Sequence, residues 1–167
     1  MTKKDNIKKL LQSNKKELII QGLNEFENNR YADLLPDVIS LYLRNDSEIN
    51  TKIYFLLTNM KQNSAVDFLI SSLKNIDDFH HFPELIRSCW ENGLDFSAHL
   101  TFFTNIFIRS SYAVAIESFT VIEENIEKAT KEQVKECLTV LKKEGKSISS
   151  DKKSLYEALV GILEPFV

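Results

Sequence analysis

An all-α fold built from recurring helix pairs is predicted for this 167-residue chain, and three observations predict it. Glycine and proline number only four and three, whereas an all-β domain would need many turn residues. The stretch Leu34 to Met60, LLPDVISLYLRNDSEINTKIYFLLTNM, reads as an apolar helix, a polar turn at Arg44 to Glu48 and a second apolar helix. That unit then recurs loosely. The first-helix ends Leu43-Arg44-Asn45, Leu73-Lys74-Asn75, Ile108-Arg109-Ser110 and Leu141-Lys142-Lys143 are separated by 30, 35 and 33 residues, and Ile53, Ile86 and Phe119 lie 33 apart. An apolar residue followed by a base suits a helix C-terminus, where a cation meets the negative end of the dipole. One pair cannot bury both of its apolar faces, so repeated pairs stack into α-solenoids.

Each element has its own local reason. Asn6 to Gln12 is a lysine-rich stretch with Ile7, Leu10 and Leu11 on one side; so short a helix is marginal unless it docks, and it is expected to be frayed or to serve as a cap. Asn14 to Asn28 follows, with Leu18, Ile19, Gly22, Leu23 and Phe26 spaced for one face; Asn14 and Glu17 are spaced for a capping box. In the central unit Asp33 is the expected cap, which places Pro36 in a first turn where its missing N–H costs little. Asp46 or Ser47 is expected to cap the helix of Ile49, Ile53, Leu56, Leu57 and Met60.

Ser64 with Asp67 opens the third pair, an acidic loop at Asp77 and Asp78 interrupts it, and Pro83 and Gly93 start and stop its second helix. Ser97 opens the fourth pair through the apolar run Leu100 to Ile108, which continues from Ser111 to Ile126. Thr130 and Gln133 form a capping box for a helix ending at Gly145, and Ser150 or Asp151 starts the last one. The expected organisation is one domain, 1–167, with repeats near 4–29, 33–60, 64–93, 97–127 and 130–165.

Charge is unevenly laid out although the net is only −3. Lysines 3, 4, 8, 9, 15 and 16 crowd the start. From Asp77 to Glu127 nine acids (Asp77, Asp78, Glu84, Glu91, Asp95, Glu117, Glu123, Glu124, Glu127) face only Arg87 and Arg109, the wrong sign for a nucleic-acid groove. Cys89 and Cys137 lie in apolar helical stretches, which favours reduced thiols and a cytoplasmic setting over a disulfide scaffold. No signal peptide is read at the start, and the run from Leu100 to Ile108 is too short to span a bilayer. Neither nucleic acid nor membrane is an expected partner.

The chemistry-bearing residues do not assemble into a catalytic pattern. His80 and His81 are adjacent and, with Cys89 and His99, lack zinc spacing. Ser97 near His99 has no strand-turn-helix elbow and serves better as an N-cap. The glycines stand alone, so no phosphate loop exists. Neither a cofactor nor a metal is expected. Trp90 is either an interface anchor or, in register with Leu57 33 residues earlier, a core residue. Glu91, Glu117 and Glu124, with Glu123, either steer a basic partner from second helices or are ordinary solvated faces. Tyr54, Phe55 and Tyr156 fall at off-core phases and are the aromatic candidates for a groove.

At Leu34-Leu35-Pro36, Asn45-Asp46 and Ile49 the sequence resembles the HEAT-like repeat family, with Asn50 in place of the family's usual base and Lys52 nearby. Cys89 to Ser97, CWENGLDFS, is similar to a segment of small stand-alone bacterial HEAT-like proteins. The resemblance implies a right-handed α-α superhelix of about five HEAT-like helix pairs. In it, first helices line the convex face and second helices a concave face that holds a protein partner. The expected function is therefore a non-enzymatic protein-protein interaction or scaffold module, with Phe55, Arg87, Glu91, Glu117, Glu124 and Tyr156 as candidate partner-binding residues. The alternatives are a nucleic-acid enzyme of the DNA-alkylation-repeat type, for which Trp90 and Asp95 are present but the charge is wrong, and a purely structural assembly subunit.

Overall fold

Thr2 and Asp5 open the chain with a reciprocal capping box, and behind it α1 runs from Lys3 to Leu11. The computed structural model describes residues 1–167, and every regular element in it is helical. The ten α-helices are α1, α2 (Lys16–Asn29), α3 (Leu35–Tyr42), α4 (Ser47–Thr58), α5 (Ala65–Leu73), α6 (Pro83–Glu91), α7 (Leu100–Arg109), α8 (Tyr112–Asn125), α9 (Lys131–Glu144) and α10 (Lys153–Leu163). The chain divides into two compact units, Met1–Ile76 and Asp77–Val167, with the division between α5 and α6.

In the first unit α1 lies on α2 and α3, α3 on α4 and α5, and α2 on α4. The α1–α2 approach is close because Gly22 sits opposite Leu10: a Cβ there would lie 2.9 Å from the Leu10 Cβ and 3.0 Å from the Leu11 backbone nitrogen. Ile7 and Leu11 are fully buried, so the short first helix is docked rather than frayed. Leu23, Leu35, Val38, Ile53, Leu57 and Leu69 complete this core.

In the second unit α6 lies on α8, α7 on α8 and α9, and α10 on α9 and α8. Phe96, Phe103 and Phe107 are its largest fully buried side chains, Phe96 meeting Phe103 edge-on at 5.6 Å. In both units helices that are first in their pairs pack on one another, and so do helices that are second, giving two layers. That layering is compatible with a helical repeat.

Asp46, Thr130 and Gly93 do what their sequence positions predict. Asp46 accepts from the backbone N–H groups of Glu48 and Ile49, and Thr130 and Gln133 cap each other's backbone. Gly93, at φ +71°, ends the α6 segment in the left-handed region.

Several expected caps are corrected. Asn14 does not cap α2: Ser13 turns the chain by accepting from the Lys15 N–H, and the helix starts two residues after Asn14. Asp33 lies inside a 3-10 turn, Ala32–Leu34, with its carboxylate on Lys4, so α3 begins after Leu34 and carries Pro36 in its first turn. Ser97 likewise enters a 3-10 turn, its N–H bound by Asp95, and α7 follows at Leu100. Ser64 precedes α5 with helical backbone and no capping hydrogen bond. Ser150 and Asp151 form a 3-10 turn, and α10 starts at Lys153. Gly145, by contrast, follows the last residue of α9 as expected, with an ordinary φ of −58°, and a Cβ there would meet the Tyr156 hydroxyl at 2.5 Å.

The 33-residue register also slips once. Ile53 and Ile86 are fully buried, whereas Phe119 is only half-buried because Ser118 and Ile122 take the core positions of α8.

Candidate functional site

Glu117 is the polar centre of the second unit. Its neighbours on α8, Val114, Ala115, Ser118 and Val121, are buried, and this register carries the carboxylate to the edge facing α6. There Arg87, two residues past the core residue Leu85, donates from Nε at 3.0 Å and from a terminal nitrogen at 2.6 Å to one Glu117 oxygen. Trp90, one helical turn later, donates its indole N–H to the other oxygen at 2.8 Å. The Glu117 side chain is 8% exposed and the Arg87 side chain 41%, so a buried anion is matched by a cation that still reaches water. The three donors bind the carboxylate through both oxygens and tie α6 to α8.

This cluster gives Trp90 neither of the two roles open to it. The ring is half-buried, with its nitrogen engaged, so it is neither a fully enclosed core residue nor a free anchor. Glu91 and Glu124, the other acidic candidates, are exposed on α6 and α8, and Glu123 is exposed beside Glu124. Tyr112 and Ile116 are also exposed on α8, one turn apart. Their proximity to the acids was legible as an i, i+4 apolar pair outside the core stripe, but they were not among the expected site residues.

Phe55 lies in the first unit, on the outward side of α4, and is 58% exposed. Core residues Ile53, Leu56 and Leu57 flank it in sequence, so helical geometry directs its ring away from them. It borders a groove of about 540 Å³ between α2 and α4, whose walls include Glu27, Ser47, Thr51 and Leu56. Glu27 and Lys52 form an ion pair at 3.7 Å at its edge. A smaller apolar pocket of about 40 Å³, lined by Phe26, Ala32, Leu56 and Met60, adjoins it through Glu27 and Leu56. Tyr54 is half-buried, its ring 5.8 Å from that of Phe55.

Tyr156 is half-buried in the second unit, where its hydroxyl donates to the Leu141 carbonyl at 3.2 Å. It lines a third depression, of about 350 Å³, with Gly145, Lys146, Ser150 and Lys153. Of the six expected partner-binding residues, then, Arg87 and Glu117 are brought into contact, Glu91 and Glu124 lie on the same two helices, Tyr156 belongs to a separate depression, and Phe55 belongs to the other unit.

No family model, curated protein or solved structure matches this chain.

Both cysteines are buried in the fold. Cys89 is fully buried, and burial pushes its thiol up to about 12; burial also raises the Cys137 thiol, so neither is poised as a nucleophile. His80 is exposed and bound through Nδ1 to Asp78 at 2.6 Å. No three His, Cys, Asp or Glu side chains gather as a metal site. No helix is long and apolar enough to cross a membrane.

The distinctive CWENGLDFS segment is a structural joint. Asn92 accepts from the Leu94 N–H, Asp95 from the Ser97 N–H, and the buried Asn125 of α8 accepts from the Phe96 N–H at 2.8 Å while donating to the Val121 carbonyl. These bonds satisfy the buried backbone of the turn and hold Phe96 in the core.

Proposed function

We propose that this protein is a non-enzymatic interaction module that receives other proteins on the outward faces of its second helices. On this reading the helix pairs are HEAT-like, and the second helices of each unit supply that unit's receiving surface. The observation that carries it is Phe55, an aromatic ring turned out of the core beside a groove of about 540 Å³. Aromatic residues dominate binding energy where they can be enclosed by a partner, and folding alone has no use for this ring in water. The buried, high-pKa thiols and the engaged histidine support binding over covalent chemistry.

A photo-crosslinking amino acid at position 55 of the full chain tests this in cells. A discrete protein adduct is expected there and not with the same probe at Lys135, an exposed position on α9. Adducts of equal yield at both positions, or none at 55, would overturn the reading, as would turnover of a metabolite by the purified chain.

A further inference from the structure

Resting on the reading that Phe55 receives a protein, we infer that the partner segment is an acidic amphipathic helix. It sets an aliphatic side chain into the small pocket adjoining the groove and a carboxylate on Arg30 at that pocket's edge. The pocket, of about 40 Å³, has apolar walls of Phe26, Ala32, Leu56 and Met60. That is space for about three waters, yet these four side chains offer none of the polar partners an ordered water needs. One branched aliphatic end suits it better. Phe55 and Asn59, which also lines the pocket, lie one helical turn, roughly 6 Å, apart along the α4 segment. A partner helix with apolar residues at i and i+4 spans that distance, one over the ring and one in the pocket.

Every charge lining the two depressions is paired except one. Glu27 pairs with Lys52 at 3.7 Å, and Glu48 with Lys16 at 2.8 Å. Arg30 lines the small pocket, is exposed, and has no ion pair or side-chain hydrogen bond. Its backbone supplies a separate observation. As the C-cap of α2 it holds φ +51°, in the left-handed region, where glycine or asparagine would fold at less cost. The fold therefore gains nothing from a guanidinium at this place. Beside an apolar pocket it is suited to a carboxylate, which its planar fork binds bidentately.

Fluorescence anisotropy of the full chain with a labelled leucine-glutamate amphipathic peptide tests this. Tighter binding than to the matching leucine-lysine peptide is expected. Arg30→Glu should erase that preference and weaken the leucine-glutamate peptide by about fivefold or more, since repulsion replaces attraction. Ala32→Leu, which fills the pocket, should weaken it as much. Arg30 is exposed, so unchanged circular dichroism is expected of Arg30→Glu and separates lost binding from lost fold. Equal binding of the two peptides, or unchanged affinity in either variant, overturns the inference. A concentration-dependent dimer lost in Arg30→Glu does so too, by making a second copy the occupant. In cells, an adduct at position 55 that persists at full yield in the Arg30→Glu chain overturns this partner chemistry alone. Absence of any adduct at 55 in the otherwise unaltered chain removes the protein-receiving role and the partner together.

Discussion

A carboxylate taken out of water needs its donors, and the two partners of the Arg87–Glu117 pair differ in how they survive each other's loss. Replacing Glu117 with Gln leaves Arg87 free to rehydrate, and a loss of about 1–2 kcal/mol is expected, near that of ordinary hydrogen bonds. Arg87→Ala leaves a buried anion with Trp90 as its sole remaining partner among these donors. About 2–3 kcal/mol is expected, below a fully enclosed pair because the vacated, half-open site admits water. Urea denaturation of both variants checks the order. Asp46 gives a pH prediction. The Ile49 N–H, followed by Lys16, holds its carboxyl below the ordinary carboxylate value. A depressed folded pKa contributes stability above the unfolded value of about 4, lost as pH falls through the folded one. Asp46→Asn keeps a capping oxygen but cannot titrate, so its melting temperature should trail the wild type at neutral pH and converge with it in acid. Sequence reasoning picked out both Glu117 and Asp46, but for Glu117 it could not set burial. One residue of helical phase separates it from exposed Ile116, and the register slip at Phe119 is of the same size.

Helix by helix, legibility followed how local the cause was. Asp46 and Thr130 act on N–H groups two or three residues away, so their spacing sufficed. Asn14 and Asp33 had the right residue type, but Ser13 and Lys4 engaged the turns first, one of them from another helix. Gly22 was read merely as part of an apolar face; its opposition to Leu10 depends on tertiary packing. Gly22→Ala should push α1 from α2 and destabilise by about 1–3 kcal/mol, since the Leu11 backbone cannot yield as a flexible side chain would. Thermal melts monitored by circular dichroism would show this. The paired helices themselves were legible because every one carries a continuous apolar stripe. Phe55 was legible as an off-phase aromatic for the same reason.

At the scale of the molecule, each unit has its own apolar centre, so residues 77–167 produced alone are expected to retain helical ellipticity and a cooperative melt. Where that fragment must end is dictated by Lys152, which is 3% exposed. Its ammonium donates to the carbonyls of Phe107, Ile108 and Ser110 at 3.0, 2.7 and 2.8 Å, closing the C-terminus of α7 from up to 45 residues away. Desolvation lowers its pKa, with Asp151 opposing, and nothing in the run Ser150 to Lys153 distinguishes it from its exposed neighbour. Within the second unit, Lys152 is thus a component of a helix made much earlier in the chain. A nascent polypeptide halted before position 152 would carry an α7 whose last turn lacks this closure, so synthesis must run more than 40 residues past that helix before it can be sealed.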